Sequence, residues 1–166
     1  MKKQLFTIFF ILLFQITNAS LVKSADPIIV YRKKFSLLIY VPNRITYDED
    51  VIAPNETAKY ELGKIANGLI ENKEIKIEVA VYNDVRFDPI ISKEITQKRA
   101  DAIKNYLVIC GANPDNIIAK GYGDTVIINK CKPFVKCTDT EHAVNRRVEF
   151  KILNPEKLTN FKMVKK

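Results

Sequence analysis

Apolar residues alternate with polar ones in two parts of this chain, at residues 75–82 and 147–153. Such alternation is typical of a strand with one buried face. Residues 35–41 are rich in strand-forming side chains, and residues 116–120 form a shorter apolar stretch that ends at Gly121. The pattern therefore predicts four strands.

Between these strands, apolar residues recur at the three- and four-residue spacing of amphipathic helices. Asn55 is a suitable N-cap for a helix that ends near Asn72, and Gly111 is a suitable C-terminal stop for a helix over residues 93–110. The order strand, helix, strand, helix, strand, strand predicts an α+β fold. It also predicts right-handed crossovers and a mixed sheet with at least one parallel pair.

Residues 1–19 have the pattern of a secretory signal peptide. Lys2 and Lys3 precede an apolar run over residues 5–14, and small residues lead up to Ser20. The run is too short to span a bilayer comfortably, which takes about 20 residues. An uncleaved N-terminal anchor is the alternative. No cysteine lies near Ser20, which argues against a lipid-modified N-terminus.

The remaining chain divides into a polar lead segment at residues 20–34, one folded domain at residues 35–153 and a basic tail at residues 154–166. The formal net charge is +8, and loss of the two signal-peptide lysines leaves about +6. A basic protein can bind nucleic acid, anionic lipid or an acidic polymer. Export argues against nucleic acid and favours the bacterial wall, whose peptide stems carry carboxylates.

Three cysteines offer two interpretations. Cys131 and Cys137 lie close together in a polar stretch, and in an oxidising compartment such a pair predicts a disulfide, with Cys110 left as a buried thiol. A metal site that combines the pair with His142 is the alternative, although its spacing matches no zinc pattern. His142 is the only histidine, and no catalytic constellation is evident, so we expect neither an enzyme nor a cofactor.

Arg99 lies in the middle of the apolar arc of the second predicted helix, between Ile95 and Ile103. An arginine in this position needs an acidic partner or a route to solvent. Asp84, at the end of the preceding strand, is the nearest candidate in sequence. We therefore expect an ion pair, which could form part of a binding site or could serve the fold alone.

The chain resembles the OmpA-like peptidoglycan-binding domain over about residues 35–153. That family includes the C-terminal domain of outer-membrane protein A, the peptidoglycan-associated lipoprotein and the flagellar stator protein MotB. The resemblance rests on the joint order and spacing of Asp84, Arg99-Ala100, Tyr106-Leu107, Gly111, Gly121-Tyr122-Gly123-Asp124 and Asn145-Arg146-Arg147-Val148-Glu149.

The resemblance implies a βαβαβ–β sandwich, with two main helices on one face of a mixed sheet. It also implies a protein of the periplasm or cell envelope, with the outer membrane as one place of association, that binds the diaminopimelate of peptidoglycan stems without cleaving it. In the family, residues matching Asp84 and Arg99 hold this zwitterionic group, which suits a carboxylate and a guanidinium fork. Supporting contacts are expected from Asn83, Ser92, Thr96 and Arg146.

Several positions depart from the family pattern. Asn83 replaces a threonine, Ser92 an asparagine, and Ile95-Thr96 a Leu-Ser pair. Phe87 replaces a glycine, which alters the backbone options at the pocket rim. An alternative is therefore an interaction or assembly protein with a degenerate pocket, whose partner is an outer-membrane or other envelope protein. Arg147 is expected to cap loop carbonyls or to face solvent, and Tyr122 to pack at its turn.

Overall fold

The computed structural model describes residues 27–33, 36–41, 45, 47 and 51–165. Within them, six strands form one sheet in the order β4-β3-β5-β2-β1-β6. The strands are β1 Ile28–Lys33, β2 Ser36–Ile39, β3 Ile77–Tyr82, β4 Ile117–Gly123, β5 Arg147–Ile152 and β6 Phe161–Met163. The helices are α1 Glu56–Glu71, α2 Pro89–Ile109 and the short α3 Asp139–Ala143. Single 3₁₀ turns lie at Pro114–Asn116 and Pro155–Lys157.

The pairing of β3 determines which residues meet at the site described below. β3 pairs with β4 in parallel and with β5 in the antiparallel sense, in a register that places Tyr82 opposite Arg147. The C-terminal end of β3 therefore lies beside the N-terminal end of β5. The α+β fold with a mixed sheet is thus confirmed.

Each main helix begins at a side-chain cap. Asn55 accepts a hydrogen bond from the Ala58 amide at the start of α1, as the sequence predicts. α2 begins at Pro89 rather than at residue 93, because the Asp88 carboxylate caps the amides of Ile90 and Ile91 and proline is well suited to the first helical position.

One hydrophobic core lies between the helices and a single face of the sheet. Alternate residues of β3 and β5 supply the sheet side, and apolar residues of α1 and α2 supply the helix side. The fully buried members include Leu62, Ala66, Ile77, Val79, Ala100, Ile103, Leu107 and Phe150. The opposite face of the sheet carries Glu78, Tyr82, Arg147 and Glu149, the last three of them buried.

Two strands occur where the sequence analysis expected none. β1 lies in the segment interpreted as a polar lead, and β6 lies in the segment interpreted as a solvated tail; the two pair in parallel. Ile28 and Val30 are buried in the core. Asn72 helps to hold the later segment, because its Oδ1 accepts hydrogen bonds from the Thr159 and Asn160 amides. β6 has only three residues, too few for alternation to identify, and in β1 the apolar run Ile28-Ile29-Val30-Tyr31 does not alternate with polar residues.

The structure joins Cys131 and Cys137 in a disulfide, and Cys110 is a free thiol. Cys110 is half-buried rather than buried, because it is the C-cap residue of α2. Among the described residues, no helix is both long and apolar enough to cross a membrane. The predicted signal peptide at residues 1–19 lies outside the described residues and stays a prediction.

Candidate functional site

Asp84 lies two residues beyond the end of β3, after Asn83, and its carboxylate is fully buried. Its Oδ1 accepts hydrogen bonds from the Arg86 amide at 3.0 Å and from Arg86 Nε at 3.2 Å. Its Oδ2 accepts from Arg86 Nη2 at 3.0 Å and from Arg146 Nη1. Arg146 reaches this point because β5 starts beside the end of β3. Two guanidinium groups therefore hold one carboxylate.

The balance of charge keeps Asp84 ionised. Burial alone would raise the pKa of this carboxyl, because the charged form loses hydration. The hydrogen bonds from the Arg86 side chain and amide, and from Arg146, outweigh that effect and hold the pKa of Asp84 below its usual range. Arg86 also donates to Asp139 Oδ1 at 2.6 Å, so it bridges two acids.

The predicted ion pair between Asp84 and Arg99 does not form, although both residues lie in the described part of the chain. Arg99 is buried on α2, as its neighbours require. It donates from Nε to the carbonyl of Val51 at 3.0 Å, and its guanidinium lies 4.7 Å from the centre of the Tyr47 ring. The segment before α1 thus takes the contact that we expected from Asp84, whose oxygens already bind two nearer arginines.

The supporting polar residues divide into two groups. Thr96 has a structural role, because its hydroxyl donates to the Ser92 carbonyl at 2.9 Å and accepts from the Gly123 amide at 2.9 Å. Asn83 and Ser92 are equally buried, but Asn83 Nδ2 and Ser92 Oγ have no hydrogen-bond partner within the described residues. Buried polar atoms are nearly always paired, so two unpaired ones beside Asp84 and Gly123 suggest a place for a ligand or ordered water.

The Gly121-Tyr122-Gly123 motif lets β4 approach α2 closely. A side chain at Gly121 would lie 2.2 Å from the Gln97 amide nitrogen, which no real contact tolerates. Gly123 has φ +58°, a left-handed conformation suited to glycine. Its carbonyl accepts from the Asn83 amide at 2.7 Å. The motif thereby positions Asn83, Ser92 and Thr96 together, buried between β3, α2 and Gly123.

Phe87 causes no backbone strain in place of the family's glycine. Among the described residues other than glycine, only Phe134 has a positive φ, so the backbone at Phe87 is ordinary. Phe87 itself is half-buried. The expectation that losing glycine alters the backbone at the pocket rim, relative to the family, stays a prediction. Arg86 is instead the group that stands over Asp84, with 40% of its side chain exposed.

Arg86 is the site residue that the sequence analysis missed. Its signal was local: in Asp84-Val85-Arg86 the side chain of Asp84 accepts from the amide two residues later, as aspartate commonly does in turns. The same turn brings the guanidinium of Arg86 back to the Asp84 carboxylate. Asp139 was missed for another reason, since it reaches Arg86 from the start of α3, across the disulfide loop.

The face of the sheet opposite the hydrophobic core carries a second charged cluster. Glu149 accepts hydrogen bonds from Arg147 Nε at 2.9 Å and from Lys33 Nζ. Arg147 lies 3.8 Å from the centre of the Tyr82 ring, and Tyr82 stacks on Tyr122 with ring centres 4.8 Å apart. Arg147 is therefore buried: it caps the Val126 and Asn145 carbonyls, as one interpretation expected, and does not face solvent. Tyr122 packs at its turn.

The family model of the OmpA family matches residues 46–139, more than half of the chain. The chain belongs to the OmpA family. A curated relative, outer membrane porin F of Pseudomonas fluorescens, is 30% identical over 107 residues, which are 64% of this chain. The chain spans about 30% of the length of that porin.

Solved structures with the same fold are more distant in sequence. The peptidoglycan-associated lipoprotein of Burkholderia pseudomallei is 21% identical with a TM-score of 0.57, and the similarity covers 66% of this chain and 90% of that one. An outer-membrane protein of Borrelia burgdorferi B31 is 24% identical with a TM-score of 0.56, covering 75% and 96%. A MotB-like protein of Desulfovibrio vulgaris is 21% identical with a TM-score of 0.57, covering 74% and 76%. At these identities the likeness shows the fold.

Chemically, the site at the end of β3 offers contacts for a charged group. It contains one buried carboxylate, two guanidinium groups within reach of it and two unpaired neutral donors. A ligand group with both a carboxylate and an ammonium could replace these contacts: its carboxylate would bind a guanidinium, and its ammonium would bind the carboxylate of Asp84.

Proposed function

We propose that this protein binds peptidoglycan noncovalently in the bacterial cell envelope, through the diaminopimelate of peptide stems. The site consists of Asp84, Arg99 and Arg146, with Asn83, Ser92 and Thr96 in support. Wall association or tethering is its role, and it performs no covalent chemistry. The observation that carries the proposal is the buried carboxylate of Asp84, with the unpaired Nδ2 of the adjacent Asn83 and the unpaired Oγ of Ser92 near Gly123, whose carbonyl accepts from the Asn83 amide.

Charge complementarity supports the same ligand. A carboxylate of the stem would bind a guanidinium through two parallel hydrogen bonds, and an ammonium would bind Asp84. Arg146 is one third exposed, so its guanidinium can be reached from solvent. Membership of the OmpA family, together with the name of the lipoprotein of the same fold, supports a role at the wall.

A second candidate function follows from the way Asp84 is held. Both of its oxygens already accept hydrogen bonds from arginines, and the carboxylate has no exposed surface. A ligand ammonium can reach Asp84 only if Arg86 moves. If Arg86 stays in place, the protein is an envelope interaction or assembly protein that keeps the fold with a closed pocket.

Sedimentation with purified sacculi distinguishes the two. We expect the protein to pellet with diaminopimelate-type sacculi and to be released by free diaminopimelate. Arg146→Ala should weaken the binding, whereas Arg32→Ala, at an exposed arginine of β1, should not. Protein that stays in the supernatant at every sacculus concentration would favour the second candidate. Protein that pellets but ignores free diaminopimelate would place wall binding at another surface.

A further inference from the structure

The disulfide loop, residues 131–137, carries an apolar tip that the fold does not use. Phe134 is fully exposed, and Val135 beside it is largely exposed. The loop turns tightly, because the Val135 amide donates to the Lys132 carbonyl at 3.1 Å. Pro133 and Phe134 are the two central residues of this turn. Phe134 therefore stands at the outermost point of the loop, with its ring in solvent.

Phe134 also occupies a backbone position that suits glycine. Its φ is +69°, the one positive value among the described residues other than glycine. A turn with proline first and a positive φ second normally has glycine or asparagine in the second place. A bulky residue there is disfavoured, so the fold gains nothing from phenylalanine at this point. Strain of this kind, kept at an exposed site, indicates a function outside the fold.

The base of the loop is held firmly, so the tip is presented in one orientation. Cys131 is fully buried and bonded to Cys137. The Cys131 amide donates to Asn129 Oδ1, and Asn129 Nδ2 donates to the Glu141 carbonyl at 2.7 Å. α3 follows at once and starts with a capping box between Thr138 and Glu141. A preorganised loop loses little conformational entropy when it binds.

The loop itself carries only positive charges, and the acids Asp139 and Glu141 follow it in α3. Residues 126–137 contain Lys130, Lys132 and Lys136 and no acidic residue. Lys130 pairs with Glu141 at 2.8 Å, whereas Lys132 and Lys136 are exposed and form no salt bridge within the described residues. An apolar tip flanked by these two lysines is complementary to a surface that is anionic outside and apolar beneath.

We propose that the disulfide loop docks this protein onto an anionic phospholipid surface, with Phe134 inserted among the acyl chains and with Lys132 and Lys136 at the headgroups. The convex shape of the tip favours a membrane, because a partner protein would have to supply a matching pocket. The basic net charge of the whole chain, +8, strengthens the attraction. Docking is independent of the proposed wall binding, since it uses none of the same side chains.

A single-tryptophan reporter tests insertion directly. The chain contains no tryptophan, so Phe134→Trp makes the tip the only tryptophan signal. In the full-length protein, vesicles of phosphatidylglycerol and phosphatidylcholine should shift its emission to the blue and shield it from acrylamide. Ile109→Trp, at an exposed position at the end of α2, is the matched control and should stay quenchable. An unshifted emission from the Phe134→Trp protein would overturn the proposal.

Vesicle sedimentation separates the two parts of the contact. Phe134→Gly relieves the backbone strain, so its thermal midpoint should be unchanged or higher, yet its partition onto anionic vesicles should fall at least tenfold. Lys132→Ser with Lys136→Ser should reduce the partition roughly 25-fold, since each lysine near an anionic surface contributes roughly fivefold. Lys73→Ser with Lys76→Ser, at exposed lysines elsewhere, should change it little.

Equal partition of wild type and Phe134→Gly would contradict the proposal, because membrane binding would then use another segment. If the wild-type protein binds neutral vesicles as tightly as anionic ones, Lys132 and Lys136 have no role in the binding. If the wild-type protein binds none of the vesicles, the lipid proposal is wrong. If, in addition, a protein cross-links to the wild-type loop but not to the Phe134→Gly loop, the occupant of the tip is a protein.

Discussion

Two buried carboxylates in this protein are each held by two cations, and yet their surroundings differ. Glu149 lies in the middle of β5, opposite Ala80 in the sheet register, and its partners Arg147 and Lys33 also belong to strands. Asp84 lies just beyond β3, and its partners Arg86 and Arg146 belong to connecting segments, with 40% and 33% of their side chains exposed. Both carboxyls have pKa values below the usual range, since burial is outweighed by their cations.

The same chemistry thus serves two purposes. The backbone ladder fixes the Glu149 cluster, and within it Arg147 is both stacked on Tyr82 and hydrogen-bonded to two carbonyls. The Asp84 cluster has the unpaired Asn83 Nδ2 beside it, and its two cations are partly exposed to solvent. We infer that the Glu149 cluster stabilises the fold and that the Asp84 cluster is available to a ligand.

Glu149→Ala should lower the free energy of unfolding by about 3 kcal/mol, because it leaves the buried guanidinium of Arg147 without its carboxylate. Urea denaturation monitored by circular dichroism measures the change. The folded fraction should pellet with sacculi as wild type does. Glu156→Ala, at an exposed acid with no salt bridge within the described residues, should cost less than about 0.5 kcal/mol. If Glu149→Ala lowers the free energy of unfolding no more than Glu156→Ala does, the Glu149 cluster does not stabilise the fold.

Arg99→Ala should reduce sacculus binding by on the order of 2–5 kcal/mol, which is the usual effect of losing one charged partner in a desolvated contact. Arg99→Lys should bind as weakly, because an ammonium cannot form the two parallel hydrogen bonds of a guanidinium. Circular dichroism must show that both variants are folded. Folded Arg99→Ala protein that pellets like wild type would remove Arg99 from the proposed site.

Arg86→Ala should strengthen sacculus binding, because it removes a group that competes with the ligand for Asp84. A half-exposed ion pair contributes about 1 kcal/mol at most, so the gain should be no more than about fivefold in affinity. Titration of sacculi into labelled protein measures it. Asp139→Ala, which removes only the outer partner of Arg86, should give a smaller gain in the same direction. Weaker binding by Arg86→Ala would make Arg86 a ligand contact and not a competitor.

Acidification should destabilise the protein in a window set by these carboxylates. Asp84 and Glu149 have lower pKa values folded than unfolded, so their stabilisation is complete above the unfolded values, near pH ~4, and is lost as the pH falls through the folded ones. Urea midpoints should be nearly constant from about pH 7 to about pH 5 and should fall below about pH 4. Glu149→Gln should flatten this fall, and an identical slope in the variant would show that Glu149 titrates normally.

The sequence predicted those parts of the fold that local chemistry determines. The caps at Asn55 and Gly111, the alternation along β3 and β5, and the buried face of α2 are all local signals. β1 and β6 could not be predicted in this way, because β1 begins with a continuous apolar run instead of alternating and β6 has only three residues. The hydrogen bonds from Asn72 to residues 159 and 160 carry no sequence signal of their own.

For the candidate site, the sequence predicted a buried position for Arg99 but the wrong partner for it. The apolar arc around Arg99 indicated that it is buried and needs a partner, and Asp84 was the nearest acid in sequence. The choice of partner depends on the register of β5 against β3, which brings Arg146 to Asp84, and on the turn at Arg86. Neither the strand register nor the turn can be predicted from a helical wheel. The ligand assignment therefore stays a prediction, whereas the family is established.

The parallel pairing of β1 with β6 has a consequence for the order of folding. It joins the first and last strands of the described sheet, and contacts so distant in sequence form slowly because a long loop must close first. During synthesis of the chain, β1 can pair with β2 early, but it has no partner on its other side until β6 has been made. A chain cut before Phe161 would leave β1 as an open sheet edge with its backbone groups exposed. We therefore expect the C-terminal residues to protect against aggregation more than they add to stability.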